Sequence, residues 1–469
     1  MNLVYKVNDK PSWGKTVVFA LQQLLAIMAA TIAVPAIVGN GMSQSAALFG
    51  AGVGTLIYLL FTKFKSPVFL GSSFAFLGSM FAAFAGAVSV SVGYLGLIIG
   101  AVLAGLVYVI LALVVKKFGT AWIDKLMPAV VIGPTVAIIG LSLAGNAVGD
   151  LMAGSFQVEA EPNVFVSTAN WGVALACGLV TLLTTIACSV YGKKMLKMIP
   201  FIIGIAAGYV VASIFTAIGY AAGNDAFKVI NFELFKTAGW DKFVGGWCPD
   251  FTFIKAFFNN DWNFGDFGGF GPYLGTIAVA YVPVAFVVFA EHIADHKNLS
   301  SIIESNLLEE PGLHRTLLGD GVGSMGGALF GGCPNTTYGE SVGCVAISGN
   351  ASVRTIFVTA LMAIVLSFIL PFSTFLATIP KCCMGGVCIA LYGFIAVSGL
   401  KMIQNVDLGD NRNLFVVSVI LIAGVGGLAL NFGKVEITEV ACALILGIIV
   451  NLLVNLKKDK KEPKAEENK

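Results

Sequence analysis

Apolar residues run along this chain in blocks of about twenty, separated by short polar breaks. Blocks long enough to cross roughly 30 Å of hydrocarbon as helix lie near residues 16–39, 45–62, 91–115, 126–146, 170–191, 198–221, 272–296, 352–376, 378–400, 413–432 and 436–456. Three more stretches, 67–88, 314–332 and 333–349, are apolar but interrupted by Gly, Pro, Ser and Thr, and with them the chain has fourteen predicted membrane segments.

The distribution of positive charge supports that count. With fourteen segments and the N-terminus inside, 22 of the 28 Lys and Arg fall on the cytoplasmic side, and four of the other six lie in residues 222–271. Long loops cross largely regardless of charge. Omitting one interrupted segment would invert every later loop and spoil the bias. Residues 1–15 are therefore read as a cytoplasmic N-terminus and 457–469 as a solvated cytoplasmic tail whose lysines can touch anionic lipid. Residues 222–271 form an extracytoplasmic insert carrying Trp240, Trp247, Phe251, Phe253, Trp262 and Phe264. It reads as an external cap or an interfacial aromatic belt, with a partner-binding domain as the lesser alternative.

The insert divides the chain into halves of seven segments, 16–221 and 272–456. Pro128 is followed by Gly133 and Gly140, and Pro380 by Gly385 and Gly393, each series opening the fifth segment of its half. The third segment of each half is interrupted, at Gly71-Ser72-Ser73-Phe74 and at Cys333-Pro334-Asn335-Thr336-Thr337-Tyr338-Gly339-Glu340. Seven is odd, so the halves are oppositely oriented. An inverted repeat with matching interrupted segments points to the binding site of a secondary transporter.

Composition changes the picture mainly by exclusion. Apolar residues are 57% and charged residues 12% of the chain, against about 25% charged in soluble domains. A net charge of +2 leaves no sustained cationic face for nucleic acid. Of the nine cysteines only Cys248 lies in a long polar loop, so a disulfide framework is not expected. The N-terminus lacks the pattern of a cleavable signal. No Walker loop or G-x-S-x-G is present, so neither an ATP-driven pump nor an esterase is indicated.

Non-helical backbone at membrane depth occurs only where it lines a cavity or is buried in protein. Ser72-Ser73-Phe74 and Asn335-Thr336-Thr337-Tyr338 read as short extended pieces, each followed by a half-helix, that pair at the midplane. Close packing of small residues is the plainer explanation for the same composition. Glu340 opens the second half-helix, and an intramembrane carboxylate is costly enough to suggest function. It would also suit a simple helix N-terminus. In Phe289-Ala290-Glu291-His292-Ile293-Ala294-Asp295-His296, Glu291 and Asp295 share one helix face, and His292 and His296 a neighbouring one. Sixteen or so apolar residues precede Glu291, so the cluster also fits the wet end of a helix. The His pair has zinc spacing, but Ile293 stands where a metalloprotease has Glu, so no metal is expected.

Taken in order, Leu21-Gln22-Gln23-Leu24, Leu70-Gly71-Ser72-Ser73-Phe74-Ala75-Phe76, Ala290-Glu291-His292, Pro311-Gly312-Leu313-His314-Arg315 and Pro334-Asn335-Thr336-Thr337-Tyr338-Gly339-Glu340 resemble the nucleobase–ascorbate transporters, the second class of nucleobase:cation symporters. The resemblance spans residues 15–456 and is greatest to the family's bacterial uracil permeases. It implies an all-α polytopic membrane protein of fourteen segments in two inverted repeats, with a core and a gate domain and no enzymatic activity or cofactor. It implies uracil import by proton symport across the bacterial cytoplasmic membrane, in a homodimer surrounded by lipid. Glu291 and Glu340 would bind uracil's N–H edge, Phe74 would pack on its ring, and Gly339, Tyr338 and Ala30 would shape the pocket, with Tyr392 on the gate side. Glu340 favours uracil over the purines xanthine and uric acid, and two Glu argue against an anion exchanger. Where some relatives carry His one turn after the first Glu, this chain has Asp295. Glu291 and Asp295 would then share the coupling proton, with a sodium ion as the second choice.

Overall fold

The computed structural model describes residues 3–456 except 162–163, 194, 244–245, 260 and 433–434. The tail 457–469 thus lies outside the described residues. The first half runs through α1 (Trp13–Val38), α2 (Gln44–Phe61), β1 (Leu70–Ser72), a 3₁₀ turn (Phe74–Phe76), α3 (Leu77–Ala83), α4 (Val90–Phe118), α5 (Ala129–Ser142), α6 (Trp171–Tyr191) and α7 (Pro200–Ala222). The second runs through α8 (Phe270–Ile303), α9 (Leu313–Gly331), β2 (Asn335–Thr337), α10 (Gly339–Ser348), α11 (Val353–Ser367), α12 (Leu370–Thr378), α13 (Lys381–Met402), α14 (Asn411–Val425) and α15 (Glu439–Asn455).

Eight helices among the described residues are long and apolar enough to cross a membrane, and a ninth if α11 and α12 form one span. The chain is therefore an integral membrane protein. α1 is central, with 72% of its most apolar window buried, whereas α6 has 28% and lies at the periphery. α9 fails the length-and-hydropathy measure because it is rich in glycine, and glycine is what its packing requires. A Cβ at Gly50 of α2 would stand 2.4 Å from the carbonyl oxygen of Gly327, and one at Gly54 2.7 Å from that of Gly323. Small residues let the two backbones touch.

Two sequence expectations are corrected. Residues 352–376 do not form one straight segment, because α11 ends at Ser367 and α12 leaves at 84°. Pro371 in the first turn of α12 lacks an N–H, so it suits a helix start and not a helix interior. Extended structure is also not confined to the two interrupted segments. Gln157–Glu161 pairs with Val164–Ser167, and Leu430–Phe432 pairs with Val435–Ile437, so the expected segment 413–432 ends as strand.

The two interruptions meet in space. β1 and β2 pair antiparallel, Leu70 opposite Thr337, Gly71 opposite Thr336 and Ser72 opposite Asn335. The pairing is extended by Ser73 N–H to the Pro334 carbonyl at 2.9 Å. The Tyr338 ring lies over Gly71, where a Cβ would come within 2.3 Å of it, and its hydroxyl donates to the Ser72 carbonyl at 2.8 Å. The insert is docked on protein: Lys255 donates to the Gly41 carbonyl at 2.6 Å, and Phe251 packs on Phe49 at 4.8 Å and Phe330 at 5.4 Å.

Candidate functional site

A cavity of about 250 Å³ lies beside the paired strands. Among the helices that line it, three contribute the most side chains. α8 contributes Glu291, Ala294, Asp295 and Asn298, the i, i+3, i+4, i+7 stripe of one face. α10 contributes Glu340, Gly343, Cys344 and Ile347, and α13 closes the far side with Phe394, Ile395 and Ser398. From the interruptions come Ser73 and Phe74 on one side and Thr336, Tyr338 and Gly339 on the other.

Glu291, Asp295 and Glu340 thus line one enclosure within a largely apolar body. Glu291 and Asp295 are not at a helix end, because α8 continues to Ile303. Thr337 donates its hydroxyl proton to Asp295 Oδ2 at 2.8 Å, fixing that carboxylate against β2. The hydroxyls of Ser73 and Thr336 are buried without a protein partner, and both residues line the cavity. A buried hydroxyl without a partner is costly, so these two groups are available to a polar ligand. The first N–H groups of α10 lack intrahelical acceptors by construction, and Gly339 and Glu340 at that end line the cavity. The site therefore gathers carboxylates, hydroxyls, a helix N-terminus and the Phe74 ring around one small volume.

The supporting bonds explain why the half-helix stays in place. Gln23 of α1 donates through Nε2 to Ser341 Oγ at 2.5 Å, and Phe69 N–H donates to the same oxygen at 3.0 Å. Gln23 and Ser341 are therefore partners, although they lie 318 residues apart in sequence. Behind α10, Tyr5 N–H donates to the Gly349 carbonyl and Ala351 N–H to the Tyr5 carbonyl, so the N-terminal strap holds the far end of the half-helix.

Of the residues singled out from sequence, Glu291, Asp295, Glu340, Phe74, Tyr338 and Gly339 come together on the cavity. Ala30 does not: it is 1% exposed and packed inside, and Ala26, one turn earlier on α1, reaches the cavity. Tyr392 stands behind the cavity, its ring edge-on to Phe74 at 5.4 Å. Sequence reasoning missed the wall formed by Phe394, Ile395 and Ser398, which have no chemical signature. It also missed Lys197 and Ser189, which extend the lining toward the end of the molecule bearing Lys193.

The histidines face away from the cavity. His292 Nδ1 lies 2.6 Å from Asp320 Oδ2 on α9, and His296 Nε2 lies 2.7 Å from the Tyr58 hydroxyl on α2. No cluster among the described residues is suited to hold a metal ion. Asp320 was overlooked although it is an acid inside a glycine-rich membrane segment, the same signal that marked Glu340.

Residues 14–432 match the sequence profile of a group described as the Permease family. The chain is 39% identical to the uracil permease of Bacillus caldolyticus over 99% of its length and 98% of that protein's. It is 37% identical to the uracil permease of Bacillus subtilis, covering 98% of each chain. Among solved structures, the transmembrane domain of a cyanobacterial bicarbonate transporter superposes with a TM-score of 0.63 at 15% identity, covering 96% of this chain and 99% of that one. At that identity the likeness concerns the fold alone.

Proposed function

The chain belongs to the nucleobase–ascorbate transporters, the permease family whose profile it matches, and on that premise we propose that it imports uracil by proton symport across the bacterial cytoplasmic membrane. It is a permease and not an enzyme. The observation that carries the substrate reading is the placement of Glu291 and Glu340 on one cavity with Phe74 and the start of α10. Uracil has two N–H donors and two carbonyl acceptors on a flat ring. Ionised carboxylates only accept and backbone N–H groups only donate. Two Glu therefore match the N–H edge, and the N–H groups of α10 with the Ser73 and Thr336 hydroxyls match the carbonyls. Apolar Phe394 and Ile395 face the remaining ring carbons. A site built around such bonds rejects analogues that leave them unmade.

Alternating access would move a core domain against a gate domain. The gate is α5 to α7 with α13 to α15, and the core holds the paired strands. Fourteen segments in two inverted repeats, 16–221 and 272–456, fit this plan, with 222–271 outside and both termini inside. In support, β1 and β2 occupy equivalent places in the two halves and pair with each other. Pro128 and Pro380 each stand at the N-cap of the helix that opens the fifth segment. Those two helices, α5 and α13, cross with a would-be Cβ of Gly133 2.8 Å from the Gly399 carbonyl oxygen. The cavity reaches toward Lys197, on the side assigned as cytoplasmic, which supports an inward-facing reading of this state. A homodimer surrounded by lipid belongs to the same proposal, with family membership as its only support.

Uracil is neutral, so uptake against a gradient needs a second solute. Glu291 and Asp295, one turn apart on the cavity face, would share a proton because two adjacent buried carboxylates resist double ionisation. Asp295→Asn removes the shared proton and leaves Glu291 as a ligand. In proteoliposomes under a pH gradient of about one unit, it should bind and exchange uracil yet accumulate about tenfold less, since one pH unit is worth about 1.4 kcal/mol per proton. Unchanged accumulation would move coupling to Glu291 alone or to sodium.

A further inference from the structure

On the face of α8 turned away from the cavity, the hydrogen-bond directions around His292 require counting. His292 and Asp320 are 0% and 1% exposed. Nδ1 of His292 meets Asp320 Oδ2 at 2.6 Å, and Nε2 meets Thr316 Oγ1 at 3.0 Å. Thr316 Oγ1 is also 3.0 Å from the Leu313 carbonyl oxygen. A hydroxyl carries one proton. Given to the carbonyl, that proton leaves Thr316 an acceptor, so Nε2 must carry a proton of its own, and the bond between Nδ1 and Asp320 needs another. The pair is then neutral overall, either imidazolium with carboxylate or imidazole with carboxylic acid. Turned to Nε2 instead, the Thr316 hydroxyl leaves that nitrogen bare, and the pair carries a net charge of −1. The two arrangements differ by one proton and the rotation of one hydroxyl.

A second observation concerns the other carboxylate oxygen. Asp320 Oδ1 and the Tyr108 hydroxyl are buried and unpartnered among protein groups, and both residues line a separate cavity of about 10 Å³, about the room one water needs. Ser324 and Asn335 share that lining, which contains no Lys or Arg. The other titratable groups around the pair are His296, its ring stacked on His292 at 4.0 Å, and Tyr58 behind it. Glu291 and Asp295 lie within electrostatic reach of Asp320 from the cavity face of α8. With no fixed cation beside it, the deprotonated pair would be a buried net charge, a state proteins avoid by taking up a proton.

We propose that His292 and Asp320 form a second proton-carrying site of the transporter, loaded and unloaded once per cycle, with Thr316 as the hydroxyl that follows its state. The proposal rests on the symport reading above. One proton enters the pair from the outer side and the same proton leaves to the inner side, so charge and atoms balance over the cycle.

The test is the number of protons moved per uracil in proteoliposomes with the membrane potential clamped, read with an entrapped pH dye alongside radiolabelled uracil. Asp320→Asn preserves shape and can still hydrogen-bond His292, but it cannot take up a proton. It should bind and exchange uracil as the unaltered carrier does, move one proton fewer per uracil, and reach about tenfold lower accumulation for a gradient of about one pH unit. Equal, non-zero proton ratios in the two proteins overturn this inference alone. An unaltered carrier that moves no protons overturns the symport reading and this inference with it. Should Asp320→Asn fail to fold, Tyr108→Phe decides the matter. Without the hydroxyl that shares its small cavity, the Asp320 carboxylate loses polar support, so the pair keeps its proton to higher pH. The midpoint of the pH profile of uptake should then move upward, and an unmoved midpoint overturns the proposal.

Discussion

Leu70–Ser72 and Asn335–Thr337 are three-residue strands paired residue for residue, yet the first runs into an aromatic ring and the second into a carboxylate. β1 leads to Phe74 and the apolar turn Phe74–Phe76, where no side-chain acceptor is present. β2 leads to Gly339 and Glu340, and its own Thr337 holds Asp295. On the proposed reading, two interruptions with one backbone plan have different tasks: the first supplies a flat surface and the second charge and donors. Backbone geometry makes the enclosure, and the few residues that follow each strand would decide what it recognises.

The sharpest way to break that division is at Glu340. On the proposed reading its carboxylate accepts from the ligand, so Glu340→Ala should abolish uracil binding, a loss of about 2–5 kcal/mol where a charged hydrogen bond loses one partner. Glu340→Gln keeps the size but adds a donor opposite uracil's own N–H, and should also bind poorly. Uptake of radiolabelled uracil at the unaltered rate by either variant would remove Glu340 from the site. The first interruption should yield a smaller loss. Phe74→Ala removes a ring that packs beside the ligand and should weaken binding by about 1–3 kcal/mol, the range of lost base–aromatic stacking. A dissociation constant that does not change in folded protein would leave Phe74 as a packing partner of Tyr392 only.

The contrast also marks what could be read from the chain alone. Glu291 and Asp295 were legible because i, i+4 spacing places two side chains on one helix face whatever surrounds the helix. Glu340 was legible because a carboxylate among apolar residues is rare. The extended pieces were legible from Gly, Ser, Thr and aromatic residues in places where a membrane helix should continue. What spacing does not reveal is the neighbour across the gap. His292 and Asp320 are 28 residues apart on different helices, α8 and α9, and nothing in the spacing along either helix announces that they meet. The choice of Ala26 over Ala30 depends on the depth of α1 beside the strands, and the 84° bend between α11 and α12 on how that region packs. Those facts belong to packing, and one helix at a time does not contain them.

The central claim is that two carboxylates and a half-helix recognise the polar edge of a pyrimidine. Calorimetric titration of the purified protein with uracil, followed by xanthine, tests it most directly. Uracil should bind with a stoichiometry of one per chain, and xanthine should give no measurable heat and fail to displace it. Tight binding of xanthine with none of uracil would contradict the pyrimidine assignment and make the cavity that of a purine carrier.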